Sequence, residues 1–189
     1  KAQVAELNDS VLEGMGDAGR RAYAAVDTAR TEAMRAALER QCTAPRHLVL
    51  APGVRVILLK NLSVEQGLVN GATGTVLETG GGSWPLVRFD GGAERRVGPE
   101  PFTMEAGPDV LAKRVQVPLA LAYGLSIHKA QGMTLDHACV SVANLFADNM
   151  LYVALSRVRT LEGLYLRDCT AANLRRCSVD SQALAFYDQ

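Results

Sequence analysis

The chain has 189 residues, of which 48% are hydrophobic and 21% charged, so it can bury the core of one large domain or two small ones. Its 20 basic and 20 acidic side chains give a net charge of zero, which argues against a protein held on nucleic acid by bulk charge alone, although a narrow basic track is compatible with it. No apolar run approaches the roughly 18 to 20 residues that span a bilayer, and no signal peptide precedes the polar opening. We therefore expect neither membrane attachment nor secretion. Because Lys1 is not a start methionine, we also expect a segment of a longer protein.

The cysteines do not form a metal-binding pattern. Cys42, Cys139, Cys169 and Cys177 have no CxxC spacing and no histidines at the usual intervals. We therefore expect no zinc or other metal site, and the scattered thiols fit a reducing compartment.

The first 46 residues predict two helices around a short strand. QVAELNDSVL favours a helix, and a Gly-containing turn leads to a brief strand at about 21–26. The segment TARTEAMRAALERQ is rich in Ala, Arg and Glu and predicts a second helix. Asp27 or Thr28 would cap that helix.

The middle of the chain, from about 47 to 105, predicts short strands separated by glycine turns. HLVLAPGVRVILLKNL favours a buried strand pair around a Pro-Gly turn, and Asn70-Gly71 is a strong hairpin signal. WPLVRFDGGAERRV alternates and turns at Asp90-Gly91-Gly92. Together these strands predict a small antiparallel barrel or sandwich.

After about residue 113, strands and helices alternate. The predicted strands are VPLALAYGL, HACVSV and GLYLRD, and the predicted helices are SIHKAQG, ADNMLYVALSRVR and DSQALAFYDQ. This order implies a parallel sheet covered by helices. We therefore predict an α/β fold whose chain leaves the parallel sheet to build a β-barrel and then returns to it.

The stretch SIHKAQG (126–132) gathers polar groups after a predicted strand, where ligands of such sheets bind. A hydroxyl, an imidazole, an ammonium group and a free amide suit the phosphate oxygens of a nucleotide or of DNA. In the structural alternative Ser126 only caps the helix, Lys129 is solvated and His128 fills a polar gap. Spacing alone leaves both interpretations open.

Arg157 follows a mostly apolar helix. A cation is favourable at a helix carboxyl end, so the arginine has a structural explanation. A guanidinium on a rigid helix is also well placed to bind a phosphate across an interface. The sequence around Arg157 does not decide between these explanations.

Taken together, the stretches resemble a known family. SIHKAQGMTLD (126–136) followed by YVALSR (152–157) resembles the fifth and sixth signature motifs of superfamily-one helicases, in particular the petite-integration-frequency (PIF) branch and its RecD-like relatives. LLKNLSVEQGLVNGATGTV (58–76) resembles the run that opens the inserted barrel in that branch, and QVAELN resembles the end of the fourth motif region. The resemblance covers most of the chain and is weakest over 28–46 and 78–112.

The resemblance implies a fold and a domain arrangement. These helicases have two RecA-like motor domains with ATP between them. The present chain resembles the second of these domains, a parallel sheet with helices formed by 1–27 and 113–189. It would be interrupted by an inserted region, 28–112, with a small β-barrel of the Src-homology-three type at about 47–105.

The resemblance also implies roles for individual residues. Arg157 would reach the γ-phosphate of ATP, and Gln131 and Gly132 would line the nucleotide cleft. Ser126 and His128 would lie nearest the DNA strand. The resemblance implies DNA contact less directly for three residues in the matching runs of the inserted region, namely Lys60, Asn61 and Asn70. For Lys60 and Asn61, a purely structural role at a strand end and turn remains open.

The phosphate-binding loop of such enzymes is missing from these 189 residues, since no GxxxxGK[ST] occurs and no acidic pair follows an apolar strand to hold Mg²⁺. The resemblance implies that ATP and Mg²⁺ would be held mainly by the first motor domain of the same protein, so we expect this segment alone to be inactive.

The intact protein would be a monomeric DNA helicase, 5′ to 3′ by analogy, acting on single-stranded and forked DNA in repair, recombination or telomere maintenance. It would work in the nucleus or mitochondrion of a eukaryote, or in a bacterial cytoplasm. The alternative is a non-catalytic nucleic-acid-binding or docking module derived from a helicase.

Overall fold

The structure, a computed structural model, describes residues 2–80, 83–130, 132–143 and 150–175. The chain forms two compact units, unit 1 (1–124) and unit 2 (125–189). Within the described residues, no helix is both long enough and apolar enough to cross a membrane.

Unit 1 is built mainly from antiparallel strands. Its elements in chain order are α1 (Ala2–Gly14), β1 (Arg21–Ala24), β2 (Val26–Ala29), α2 (Glu32–Gln41), β3 (His47–Leu50), β4 (Arg55–Leu58), β5 (Thr73–Glu78), β6 (Leu86–Phe89), β7 (Glu94–Arg96), β8 (Glu100–Ala106), β9 (Asp109–Gln116) and β10 (Leu119–Leu121).

These strands form three sheets, all of them antiparallel. The largest has the order β10-β4-β5-β6-β7, a second has the order β2-β9-β8, and β1 pairs with β3. The buried apolar side chains of β3 to β6 and β10 merge with Leu12 of α1 and Tyr23 of β1 into one core. Burying such side chains is the main favourable term in folding, so this core positions the loops around it.

Several predicted elements are confirmed, and the turn chemistry explains them. Helices α1 and α2 form, and β6 and β7 are joined through Asp90-Gly91-Gly92. Gly92 has φ +88° and its N–H donates to the Phe89 carbonyl at 2.8 Å, a backbone conformation that glycine adopts without strain.

Three local predictions are wrong because tertiary pairing overrides local pattern. β3 and β4 flank the Pro-Gly turn but pair with β1 and β5 rather than with each other. Asn70-Gly71 lies in the long connection between β4 and β5 and does not join two strands directly. Asp27 and Thr28 belong to β2, and Thr31 caps α2 by accepting from the Met34 N–H at 3.2 Å.

The predicted RecA-like parallel sheet is not found as a large sheet in the described residues. VPLALAYGL contributes β10, which pairs antiparallel with β4 and becomes an edge of the five-stranded sheet. Its register joins Leu119 to Leu58 and Leu121 to Val56, so the apolar run is satisfied within unit 1. The fold is therefore mixed α and β with mostly antiparallel sheets. The predicted division into 1–27, 28–112 and 113–189 stays a prediction.

Unit 2 contains a parallel strand pair. Its elements are α3 (Ile127–Ala130), β11 (Ala138–Ser141), α4 (Met150–Leu155), a 3₁₀ helix (Leu161–Gly163), β12 (Leu164–Arg167) and α5 (Ala171–Arg175). β11 and β12 pair in parallel, with Cys139 beside Tyr165, and α3 packs against α4. The predicted last helix, DSQALAFYDQ, lies outside the described residues.

Candidate nucleotide and DNA sites

The SIHKAQG stretch forms the short helix α3 in unit 2. The Ser126 carbonyl accepts the Ala130 N–H at 3.1 Å, so Ser126 stands at the helix start with its side chain exposed. The backbone of His128 and Lys129 belongs to α3, but their side chains lie outside the described residues, as does the whole of Gln131. Of the predicted groups in this stretch, the structure therefore places Ser126 and Gly132.

Gly132 ends this stretch in the left-handed region, with φ +80°. Glycine adopts this conformation without strain, and it turns the chain so that the Met133 N–H reaches the Ala130 carbonyl at 3.0 Å. A Cβ at Gly132 would meet nothing within 4 Å, so the space beside it is open. The backbone at Gly132 is therefore accessible to a ligand.

Arg157 is bonded to the segment that follows SIHKAQG. The Arg157 carbonyl accepts the Leu135 N–H at 2.8 Å, and the Arg159 N–H donates to the Leu135 carbonyl at 2.9 Å. This parallel bridge between Leu135 and Val158 joins the segments that carry the two predicted motifs within one unit.

The Arg157 side chain is half-buried just after α4. Its Nε donates to the Val153 carbonyl at 3.1 Å and its Nη2 to the Ser156 hydroxyl at 3.0 Å. These bonds satisfy a helix carboxyl end, as the structural explanation requires. Within the part of the chain that the structure describes, no carboxylate pairs with this guanidinium, which has further N–H groups to offer. The geometry accommodates both explanations.

Lys60 follows β4 in unit 1 and is directed toward β8. Its Nζ donates to the Pro101 carbonyl at 2.8 Å, lies 3.5 Å from a Glu100 carboxylate oxygen and stands 5.9 Å from the centre of the Phe102 ring. The side chain is 37% exposed. The ammonium group is thus already engaged, and any phosphate would have to compete with these contacts.

Asn61 and Asn70 hold the connection between β4 and β5 together. The Asn61 side-chain oxygen accepts the Asn70 N–H at 2.6 Å, and the Gly71 N–H donates to the Leu58 carbonyl at 2.8 Å. The Asn61 side-chain oxygen is therefore already hydrogen-bonded within the turn. The Asn70 side chain is exposed and makes no hydrogen bond to other described residues, so its amide is available to a ligand.

Asn8 binds the backbone just before SIHKAQG, a role that sequence reasoning missed. Its side-chain oxygen accepts the N–H groups of Tyr123 at 3.1 Å and Gly124 at 2.8 Å, and its amide donates to the Gly124 carbonyl at 3.2 Å. A Cβ at Gly124 would lie 3.1 Å from the Val4 carbonyl oxygen, so glycine permits the close approach of α1. The only signal in the sequence was QVAELN, whose asparagine matches the family run.

A buried arginine in unit 1 was also missed. The Arg114 side chain is 2% exposed and donates to both carboxylate oxygens of Asp27, at 2.8 and 2.7 Å, to Glu39 and to the Ala44 carbonyl. The hydrogen bonds from Arg114 hold the pKa of Asp27 below its usual range despite burial, and the bonds to Asp27 raise the pKa of Arg114. This cluster joins β9, β2 and α2 and is structural.

Metal ligands are not gathered in the described residues, where no group of three or more His, Cys, Asp or Glu side chains stands close enough to hold an ion. For ATP, the fitting group is the guanidinium of Arg157, whose planar donors match phosphate oxygens. Mg²⁺ has no comparable set of ligands in the described part of the chain.

Comparisons with known sequences identify relatives of one kind. A family model described as "DNA helicase Pif1, 2B domain" matches residues 34–78, which run from α2 into β5. The human ATP-dependent DNA helicase PIF1 is 43% identical over 152 residues, covering 79% of this chain and 23% of that protein. PIF6 of Trypanosoma brucei brucei is 34% identical over 195 residues, covering 99% of this chain and 24% of that protein. The chain thus spans about a quarter of the length of these curated relatives.

Solved structures show the same relationship. The crystal structure of Pif1 helicase from Candida albicans matches with a TM-score of 0.83 and 30% identity, over 99% of this chain and 47% of that one. The Bacteroides Pif1 helicase in complex with ADP-AlF3 and single-stranded DNA matches with a TM-score of 0.75 and 28% identity, over 99% and 42%. The sequence relatives and the solved structures agree with the resemblance seen in SIHKAQGMTLD and YVALSR. The chain belongs to the Pif1 family of DNA helicases.

Proposed function

We propose that this chain forms part of an ATP-dependent DNA helicase in which Arg157 acts as an arginine finger. The observation that supports this role is the guanidinium beside the end of α4, which has unused N–H donors and no carboxylate partner in the described residues. A structural arginine is usually neutralised by a nearby carboxylate when it is partly buried. Here the available donors suit an incoming phosphate.

The backbone bridge supports coupling between nucleotide and DNA. The Leu135 N–H bonds the Arg157 carbonyl at 2.8 Å, so a displacement of Arg157 is transmitted to the segment that follows Gly132. Gln131 and Gly132 would line the nucleotide cleft on one side of SIHKAQG, and Ser126 and His128 would contact DNA on the other. The exposed Ser126 hydroxyl and the open space beside Gly132 agree with these assignments.

The ligands bound in related structures support the DNA substrates that we propose for this protein. Bacteroides Pif1 has been crystallised with ADP-AlF3 and single-stranded DNA, and another structure concerns unwinding at forked double-stranded DNA by two coordinating Pif1 helicases. By analogy this chain would work on single-stranded and forked DNA, 5′ to 3′, in repair, recombination or telomere maintenance. Asn70, with its free amide, would contact DNA more readily than Lys60 or Asn61, which are engaged internally.

ATP and Mg²⁺ would be held mainly by a first motor domain with a GxxxxGK[ST] loop, a motif that these 189 residues do not contain. ATP supplies the free energy of the cycle. Arg157 would donate to γ-phosphate oxygens only when the two motor domains close, so the same residue would sense the nucleotide and promote its hydrolysis. The 189 residues alone are expected to show no ATPase activity.

The test is Arg157→Ala in the full-length helicase that contains this chain. Arginine fingers contribute roughly 10³ to 10⁵ in rate in related phosphoryl transfer, so DNA-stimulated ATP turnover should fall by that order while DNA affinity changes little. Arg157→Lys should restore little activity, because a point charge does not reproduce the planar guanidinium. The measurements are steady-state phosphate release and DNA binding.

Arg159→Ala is the matched control. Arg159 stands two residues further on and its Nε lies 3.6 Å from the exposed Asp136 carboxylate, so its loss should leave turnover almost unchanged. Turnover within a few-fold of the unmodified enzyme in Arg157→Ala would reject the finger role. The other candidate, a non-catalytic nucleic-acid-binding or docking module, would be favoured if the unmodified full-length protein bound DNA without hydrolysing ATP, and the absence of a GxxxxGK[ST] loop from these 189 residues is the observation that supports it.

A further inference from the structure

Trp84 is exposed at one end of the five-stranded sheet of unit 1. It lies just before β6 and is 47% exposed, the one aromatic ring among the large hydrophobic side chains exposed in the described part of this unit. Tryptophan is enriched at interfaces, where its apolar ring is covered and its N–H finds a partner. The chain contains a single tryptophan, so this ring is also unique within it.

The ring is supported by two neighbours. Its centroid lies 6.4 Å from that of the buried Tyr23, with the planes tilted by 36°. A Cβ at Gly98 would come within 3.5 Å of the indole Cδ1, so the indole edge lies close to the Gly98 backbone. Trp84 is thus packed on one side while the rest remains open to solvent.

Two arginines contact groups that adjoin the ring, namely the Trp84 backbone and Tyr23. The guanidinium of Arg96 donates to the Trp84 carbonyl and to the Ser83 hydroxyl, both at 3.1 Å, and pairs with Glu78 at 2.7 Å. Arg21 stands over the Tyr23 ring at 5.6 Å and donates to the Gly80 carbonyl, without a carboxylate partner among the described residues.

Beside these groups runs a cleft of about 590 Å³. Its lining includes Arg20, Arg21, Pro52 and Glu78. Arg20 pairs with Asp17 at 3.0 Å and Arg96 pairs with Glu78, so of the three arginines only Arg21 lacks a carboxylate partner among the described residues. The surplus is one positive charge, carried by Arg21. An exposed ring beside unpaired positive charge matches a polymer with flat bases and a phosphate backbone.

We propose that Trp84, Arg21 and Arg96 form a base-stacking platform for single-stranded DNA. One unstacked base lies on the indole, and Arg21 binds an adjacent phosphate. The platform rests on the proposed DNA function, but it adds a contact site that lies apart from Lys60, Asn61 and Asn70. Duplex DNA does not fit it, because paired bases are already stacked on their neighbours.

The test uses the tryptophan emission of the 189-residue chain, which reports Trp84 alone. The chain is titrated with a 15-nucleotide oligo(dT) at low salt, and binding is followed in parallel by anisotropy of the same oligonucleotide carrying a fluorescent label. Stacking quenches indole emission, so the two signals should saturate together. A duplex of two fully complementary 15-nucleotide strands should leave the emission almost unchanged.

Each outcome is decisive. Binding by anisotropy without quenching would overturn the platform and leave the DNA function intact. No binding at all would overturn the platform and also contradict DNA contact by this chain, while the ATPase test of Arg157 in the full-length protein would remain separate. Emission that changes with protein concentration alone would assign Trp84 to a contact between two copies and would equally reject the platform.

Variants test the residues themselves. Base stacking on an aromatic side chain predicts that Trp84→Ala weakens oligo(dT) binding by roughly ten-fold or more, whereas Trp84→Phe retains most of it. Arg21→Ala should lower the slope of log affinity against log salt by about 0.7, the value for one phosphate contact on a single strand. Val110→Ala, which shortens another exposed apolar side chain of unit 1, should change neither quantity. Equal weakening in Trp84→Ala, Trp84→Phe and Val110→Ala would contradict the assignment.

Discussion

The two units differ in how their polar side chains are buried and paired. In unit 1, Arg114 and Gln116 are almost fully buried and hydrogen-bonded to carboxylates or backbone carbonyls. In the described part of unit 2, the ion pairs join exposed side chains, and Arg157 has no carboxylate partner. Buried polar groups must be satisfied within the fold, whereas exposed ones are free to bind. Arg114 of unit 1 is therefore committed to the stability of the fold, whereas Arg157 of unit 2 keeps N–H donors that a ligand could use.

The largest effect on stability is expected from Arg114→Ala. The change leaves the Asp27 carboxylate, 7% exposed, without its cation, and breaking a buried pair costs roughly 3 to 5 kcal/mol. Chemical denaturation of the chain followed by Trp84 emission measures unit 1, where that residue lies.

The matched control for this change is Arg30→Ala. Arg30, directly after β2, and Asp109 at the start of β9 form an ion pair at 2.9 Å, but both side chains are exposed. Exposed pairs contribute about 0 to 1 kcal/mol, so the loss should be small. Equal losses in the two variants would show that burial does not set the contribution of these pairs.

A smaller effect is expected from acid. Because Arg114 holds the pKa of Asp27 below its usual range, this pair stabilises unit 1 above the unfolded-state pKa of about 4 and loses that contribution as the pH falls through the folded-state value. The free energy of unfolding should therefore be level from neutral pH to about 5 and fall below about 4. The decline is smaller than the loss in Arg114→Ala, because Arg114 keeps its bond to the Ala44 carbonyl.

Denaturation curves collected across this pH range check the prediction. Asp27→Asn should lower stability at neutral pH and flatten the acid limb. Some slope will remain in Asp27→Asn, since Arg55 also lowers the pKa of Asp90. An unchanged acid limb in Asp27→Asn would mean that other carboxylates control it.

The smallest effect is expected from Lys60→Ala, measured as a change in the salt dependence of DNA binding. If Lys60 binds a phosphate, Lys60→Ala should lower the salt slope of single-stranded DNA binding by about 0.7. If it serves only β8 through the Pro101 carbonyl, the slope stays constant. Anisotropy titrations at several salt concentrations distinguish the two, and Lys113→Ala provides a lysine on β9 for comparison.

Local patterns predicted elements well and pairings poorly. The helix-forming residues of α1 and α2 and the Asp90-Gly91-Gly92 turn are local signals, and they predicted the right structures. The partners of β3, β4 and β10 depend on residues far away in the chain. Leu58 pairs with Leu119, for example, and no periodicity within either segment contains that information.

For the candidate site, too, local motifs were informative and contacts between distant residues could not be predicted. Motif order predicted the family and brought attention to Ser126, Gly132 and Arg157, all of which lie in unit 2. Lys60 donates to the Pro101 carbonyl on β8, and Asn61 accepts the Asn70 N–H within the connection from β4 to β5. These partners depend on the fold, so the hydrogen bonds of the two side chains could not be predicted from the sequence. In the sequence, Trp84 looked like one member of an alternating strand pattern. Its exposure depends on how Gly98 and Tyr23 pack beside it, and the local sequence does not contain that information.

The hydrogen bonds of Asn8 also bear on how unit 1 folds. They join residues 115 and 116 positions apart, so the two segments can meet only after nearly all of the unit has been synthesised. Closing so long a loop is entropically costly, and non-local pairing of this kind slows folding. A ribosome must therefore release residue 124 before the unit can close, and earlier intermediates would expose the edge of β4 that β10 later covers.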